Sequence, residues 1–204
     1  MYNDGIIFLC QKKTLLLHCN KITMRKLSVT ELQRIDIDTF KQSQKIPLTI
    51  ILDNVRSLHN VGSVFRTADA FRIEHIYLCG ITATPPNAEI HKTALGAEFS
   101  VEWTFFEHTL DAVRHLQQQN YTVFAIEQAE NSLSLPHLDL DPNQRYAMVL
   151  GNEVKGVQQE VVDACDACIE IPQFGTKHSL NVSVAAGLVM WDAFKQLYGT
   201  INRN

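Results

Sequence analysis

Leu48-Thr49-Ile50-Ile51-Leu52-Asp53 follows Pro47 and is apolar and β-branched almost throughout. Such a run reads as a strand buried on both faces, since a half-solvated strand would alternate with polar residues. Residues 59–71 then place Val61, Val64, Phe65, Ala68 and Phe71 on one side of a helix. Ile76-Tyr77-Leu78-Cys79-Gly80 is the next buried strand. Strand, amphipathic helix and strand in this order are the start of a parallel α/β sheet.

The pattern continues outward from that unit. Residues 81–98 are loop-like around Pro85-Pro86-Asn87, with a short helix expected near 90–95. Residues 101–105 alternate as a strand. Residues 109–120 form an amphipathic helix with Leu110, Val113 and Leu116 inward. Strands are expected at 121–126, 146–150 and 168–171, the last closed by Pro172. Residues 131–144 hold Pro136 and Pro142 and read as loop. Helices are expected at 157–164 and, long and apolar, at 180–198. The fold class is therefore α/β, with a mainly parallel sheet and flanking helices.

The chain has 204 residues, of which 46% are hydrophobic, enough for one domain with a substantial core. Its 18 Lys+Arg against 22 Asp+Glu give a net charge of -4. That sum gives no support to bulk nucleic-acid binding, yet it leaves room for a local basic site. Five cysteines in a chain of this length do not suggest a disulfide scaffold; reduced thiols and a cytoplasmic address are expected. No apolar run reaches the roughly 18 residues of a membrane span.

Residues 1–23 differ in character from the remainder of the chain. Lys12, Lys13 and Lys21 against Asp4 make them +2, leaving -6 for residues 24–204. They are either an extension upstream of a start at Met24 or a basic arm or extra strand. Ser28 with Glu31 has capping-box spacing, so 24–46 is expected to carry a short helix running to about Arg34.

Several chemistries lack their motifs. No two glycines are spaced Gly-x-Gly, so the dinucleotide turn and the glycine-rich loop of Rossmann-type methyltransferases are missing. Gly151-Asn152-Glu153-Val154-Lys155-Gly156 is not a P-loop, because no Ser or Thr follows a Gly-Lys pair. Cys165-x-x-Cys168 stands without a second ligand pair and closes a helix rather than opening one, so it reads as two buried small residues. No metal site is expected.

Three polar clusters remain, each at a strand end. They are residues 53–67, 150–156 and 171–183. Singly, Asn60, Ser179 and Asn181 are helix caps and turn formers. Ligands in open α/β sheets bind at the carboxyl ends of strands, where all three clusters would gather.

Residues 60–66, 150–156 and 179–181 resemble, in order and spacing, the three motifs of the SpoU/TrmH branch of SPOUT RNA methyltransferases. The resemblance spans about residues 47–196, with no departure at the central polar positions. It implies a SPOUT methyltransferase domain over 47–198, threaded at its C-terminal part into a deep trefoil knot. It implies S-adenosylmethionine as cofactor, methylation of a ribose 2'-hydroxyl in tRNA or rRNA, and a homodimer with the final helix at the interface. It also implies a catalytic set of Arg66, Asn60, Glu153, Ser179 and Asn181. The resemblance also implies that Arg66 helps remove the 2'-hydroxyl proton; since a guanidinium stays protonated in proteins, the physical version is that it binds the adjacent phosphate and stabilises the developing alkoxide, whatever takes the proton. Cofactor contacts are expected at Leu150, Gly151, Asn152, Gly156, Ile171, Pro172, Ser179 and Leu180, and at Ile126 and Glu127 for its ribose. RNA contacts are expected from Arg56, Arg66, Arg72, Lys92, Lys155 and Lys177. No separate RNA-binding module is visible, so specificity is expected from the dimer groove and RNA shape. A non-catalytic knotted RNA-binding protein and a base-methylating relative are the alternatives.

Overall fold

The computed structural model describes residues 24–201. The described residues fall into two units, divided between Arg34 and Ile35. The charge reading of residues 1–23 lies outside the described residues.

Residues 24–34 do not form the expected helix. A single 3-10 turn spans Thr30–Leu32 and ends at Gln33 with φ 46°. The Ser28 and Glu31 pair does meet: the Ser28 N–H donates to Glu31 Oε2 at 2.8 Å. Arg25 also donates to that carboxylate at 2.5 Å. None of these residues is buried, and a short helix without a packed face does not pay for its own nucleation. The helix of the 24–46 segment is instead α1 (Ile37–Gln42), capped by Asp36, whose carboxylate accepts from the Thr39 N–H at 2.7 Å.

The second unit is a parallel sheet with helices on both faces. Its elements run β1 (Ile46–Asp53), α2 (Leu58–Ala70), β2 (Ile73–Cys79), α3 (Ala88–Ala94), α4 (Ala97–Ser100) and β3 (Trp103–Phe106). There follow α5 (Thr109–Gln118), β4 (Tyr121–Ile126), β5 (Leu133–Ser134), β6 (Arg145–Leu150), α6 (Gln159–Ala164), β7 (Ala167–Glu170) and α7 (Val182–Ile201). The strand order is β3-β2-β1-β6-β4-β7-β5, and every pairing is parallel. The short β5 lies inside the stretch read as loop; two residues are too few to give a periodicity, and pairing with β7 alone makes them a strand. The helix α4 was likewise not foreseen.

Alternation along the strands sorts the core into two layers. Leu48, Ile50 and Leu52 of β1 face α2, α3 and α7, in a cluster with Val61, Phe65, Ile90 and Val189. Ile51 points to the other face, with Val149, Val123 and the α5 residues Val113 and Leu116. Thus the run 48–53 is apolar at Leu48, Ile50, Ile51 and Leu52, on both sides of the strand, because both of its faces are covered. Close packing of α2 on α3 uses Gly62, where a Cβ would lie 2.2 Å from Thr93 Oγ1 and 2.3 Å from the Ile90 carbonyl.

Register aligns the strand ends that matter. Leu52 pairs with Leu150, Ile126 pairs with Leu150, and Ile126 pairs with Ile169. The loops after β1, β6, β4 and β7 therefore emerge side by side at one edge of the sheet.

Candidate active site

The loop after β1 enters α2 through Ser57, whose hydroxyl accepts from the Asn60 N–H. Ser57, not Asn60, is the cap. The Asn60 side chain is left for other work: its amide donates to Glu153 Oε1 at 3.0 Å. Glu153, in the loop after β6, also accepts from the backbone N–H of Arg56 and of Ser57, each at 3.0 Å. Asn181, just before α7, donates to Asn60 Oδ1 at 3.2 Å while its own Oδ1 accepts from the Ser183 N–H at 2.9 Å. One line of hydrogen bonds, Glu153 to Asn60 to Asn181, thus joins all three clusters.

This arrangement sets the state of Glu153. Burial alone would push its carboxyl up. The N–H groups of Arg56, Glu153 itself and Ser57, with the Asn60 amide, outweigh that and hold it below its ordinary 4.5. The carboxylate is used to order the loops within one chain.

The loop after β6 is a tight hairpin. Asn152 and Gly156 exchange backbone bonds at 3.0 and 2.9 Å. Asn152 Oδ1 accepts from the N–H of Val154 and Lys155, and its amide donates to the Asn54 carbonyl at 2.7 Å. Gly156 has φ +68°, and a Cβ there would lie 2.1 Å from Glu127 Oε2. Glu127 occupies that space because its carboxylate accepts from the Val157 N–H at 3.0 Å and the Gln128 N–H at 2.9 Å. Below the hairpin, buried Asp53 accepts from Thr109 Oγ1 at 2.6 Å, and from the Gln158 N–H at 3.0 Å and amide at 2.9 Å.

Between these loops lies a cleft of about 770 Å³. Ile126, Glu127, Leu150, Gly151, Asn152, Gly156, Ile171, Ser179 and Leu180 line it, as do Glu153 and Lys155. Pro172 is not among its lining residues. Gln128, Glu130, Asp163, Gln173 and His178 line it too and were not foreseen. These are ordinary loop and helix-surface residues in the sequence, and only the closure of the loops brings them to one wall. The Gln128 amide donates to the His178 carbonyl at 2.6 Å, tying the loop after β4 to the loop before α7. Ser179 forms no side-chain hydrogen bond with a described residue, so it does not hold the third loop; Gln128 and Asn181 do.

The expected cations separate. Arg56, Arg66, Lys155 and Lys177 are exposed and form no ion pair among the described residues. Arg66 stands on α2 six residues beyond Asn60, about 1.7 turns and about 9 Å along the axis. Lys92 is paired with Glu89 at 2.7 Å. Arg72 does not join the others. It precedes β2, and its carbonyl accepts from the Ile46 N–H at the start of β1, a strand's length, roughly 20 Å, from the motif loops. The reason is the crossover: a parallel βαβ unit returns the chain to the opposite sheet edge before each new strand.

Burial pushes the Cys165 thiol up to about 12 and raises Cys168 as well, whose Sγ donates to the Glu127 carbonyl at 3.4 Å. Both remain thiols at neutral pH. Among the described residues, no group of three or more His, Cys, Asp or Glu could hold a metal ion, and no helix is long and apolar enough to cross a membrane.

A parallel sheet covered on both faces, with a cleft where loops leave the carboxyl ends of adjacent strands, defines an α/β protein with a candidate ligand site at its strand ends. Residues 47–191 match the SpoU rRNA Methylase family, and the chain belongs to that family. The 23S rRNA (guanosine-2'-O-)-methyltransferase RlmB of Pasteurella multocida is 32% identical over 177 residues, 86% of this chain and 71% of that protein. The protein of the same name from Neisseria meningitidis serogroup B is 31% identical over 159 residues, 78% of this chain. The chain spans roughly two thirds of the length of these curated relatives, 62% of the Neisseria protein. Among solved structures, the A. aeolicus TrmH/SpoU tRNA modifying enzyme superimposes with a TM-score of 0.70 at 25% identity, covering 80% of this chain and 81% of that one. An AdoMet-bound rRNA methyltransferase from Sinorhizobium meliloti gives a TM-score of 0.68 at 28% identity, covering 81% of this chain and 62% of that one.

Proposed function

We propose that this protein methylates a ribose 2'-hydroxyl of tRNA or rRNA, with S-adenosylmethionine as cofactor. The observation that carries the reading is the hydrogen-bonded line Glu153–Asn60–Asn181, which joins the three motif loops beside one cleft. The cleft fits the cofactor. Its volume is in the range of nucleotide-sized ligands. Its wall mixes apolar side chains for an adenine (Ile126, Leu150, Ile171, Leu180) with polar groups such as Glu127 and Gln128. When bound, S-adenosylmethionine supplies an electrophilic methyl group on a sulfonium.

The residues of the chain do the rest. Gly151, Asn152, Gly156, Ser179 and Leu180 shape and grip the ends of the ligand, and Pro172, outside the cleft wall, has no such role. Glu153 and Asn60 fix the start of α2, and with it the direction of Arg66. The Arg66 guanidinium stays protonated, holds the phosphate beside the target ribose and stabilises the oxygen as it loses its proton. Ser179 keeps its hydroxyl for the substrate. Alignment of nucleophile and methyl carbon contributes most, and no metal is required for it. Arg56, Lys155 and Lys177 would bind flanking phosphates, whereas the positions of Arg72 and Lys92 give them no such role within one protomer.

The catalytic domain is taken as 47–198, with its C-terminal part threaded as a deep trefoil knot. Support comes from β6, inserted between β1 and β4 although it follows both, and from α7, which returns across the sheet to α2 and β1. The active unit is a homodimer through α7. Val184, Leu188, Trp191 and Tyr198 form one exposed apolar stripe on that helix, while Ala186, Val189, Met190 and Ala193 fill the core on its other side. A cytoplasmic address goes with the free thiols of Cys79, Cys165 and Cys168 among the described residues.

Methyl transfer to cellular RNA followed by nucleoside analysis tests the reading. A 2'-O-methyl nucleoside is expected. Methylated bases would overturn the ribose assignment, and no binding of S-adenosylmethionine by calorimetry would overturn the enzyme.

A further inference from the structure

Phe174 is 98% exposed, more than any other large apolar side chain among the described residues. It belongs to neither buried cluster. A phenyl ring held in water forfeits its burial energy, so covering it with a ligand would be favourable. The place of the ring narrows the choice. Ile171, Gln173, His178 and Ser179 of the same loop line the cleft, and so does Val154, 80% exposed at the tip of the β6 hairpin. Exposed Lys155 and Lys177 flank these two apolar groups and form no ion pair among the described residues.

An exposed flat ring and unpaired cations carried on the loops of one cleft suit a single strand of nucleic acid. Every base offers a π face to the ring, and every linkage offers a phosphate to a lysine. A protein partner would call for a contiguous apolar patch. We propose that Phe174 is the platform on which one unpaired base of the substrate RNA stacks, with Lys155 and Lys177 holding the adjacent phosphates. The inference rests on the RNA-methylating reading and adds the form of the substrate: a loop or single-stranded segment, tolerant of which base lies on the ring.

The test uses the full chain and a fluorescein-labelled 12-mer of oligo(A) RNA, with the same strand paired to oligo(U) as the duplex. Phe174→Ala should weaken binding to the single strand by about 5- to 100-fold. It should leave duplex binding and calorimetric binding of S-adenosylmethionine unchanged. Phe174→Trp should restore affinity, and its indole emission should be quenched by the oligonucleotide. Single-strand affinity unchanged in Phe174→Ala overturns the proposal. So does a shift of that variant from dimer to monomer in sedimentation without loss of RNA affinity, because the ring would then belong to a contact between copies. Methyl transfer to cellular RNA by the unaltered protein is measured in parallel. Transfer with a neutral Phe174→Ala removes the stacking alone, whereas absence of transfer removes the enzymatic reading and the inference with it.

Discussion

The loops after β1 and β6 are fastened to each other, while the loop between β7 and α7 leaves its side chains in solvent. On the fastened side Glu153 takes three donors from the start of α2, Asn152 reaches the Asn54 carbonyl, and Asp53 is buried under four donors. On the open side the side chains of Phe174, Lys177 and Ser179 contribute no hydrogen bond among the described residues, and the loop is held by the bonds of Gln128 and Asn181 and by Ile171 packed against the core. The difference separates two kinds of functional residue. Some polar groups in the motifs have their bonding capacity used by the fold and act by placing others. Others leave it unused, ready for a ligand.

Arg66 gives the largest expected contrast. It is exposed and unpaired among the described residues, so Arg66→Ala should lower the rate of methyl transfer by about 100-fold or more while Tm and cofactor affinity hold. A drop in Tm instead would move Arg66 to the structural side. Gly156→Ala should show the opposite pattern. Its Cβ would meet Glu127 Oε2 at 2.1 Å in a positive-φ conformation. A cost of about 1–3 kcal/mol and weaker cofactor binding are expected, seen as a lower Tm and a higher Kd. Glu153→Ala leaves two backbone N–H groups and the Asn60 amide without their acceptor, which should cost about 1–2 kcal/mol in chemical denaturation.

The titration of Glu153 sharpens the same comparison. Its folded carboxyl lies below the ordinary 4.5. Its contribution is therefore complete above the unfolded value and is lost as pH falls through the folded one. The difference in stability between the wild type and Glu153→Gln should shrink when denaturation is followed from pH 7 to below about pH 4. RNA binding by the open side should be salt-sensitive, falling on the order of tenfold or more from 50 to 200 mM salt if Arg56, Arg66, Lys155 and Lys177 each meet a phosphate. The smallest effect on stability is expected for Ser179→Ala. A change within about 0.5 kcal/mol by denaturation, with reduced transfer, would confirm that its hydroxyl is kept for the substrate.

Much of the fold was legible because burial on both faces writes itself into composition. The runs 48–53, 121–126 and 146–150 are mainly apolar without strict alternation, and each is a central strand. What could not be read was local structure that depends on tertiary contact. The two residues of β5 are a strand by virtue of β7, and the turn at residues 30–32 stays short because no buried face supports a helix. At the site, the resemblance to the SpoU/TrmH motifs pointed to Asn60, Glu153 and Asn181, whereas in the residues alone capping and coupling look alike. Asn60 was free to couple because Ser57 caps α2. Glu127 fits the same lesson: a candidate for the cofactor ribose, it holds the Val157 and Gln128 N–H groups in the hairpin wall.

By itself the sequence determined the α/β class, the order of strands and helices along the chain and the three polar clusters at strand ends, since these depend on periodicity and on neighbours a few residues away. Strand order across the sheet was decided only in three dimensions. It placed β6 between β1 and β4, brought Glu153 to the start of α2, set Gln128 against the loop before α7, and sent Arg72 to the far edge. A one-dimensional chain records which side chains want burial or a partner. Which partner each one meets depends on loop closure over some hundred residues, and for that the periodicity carries no information.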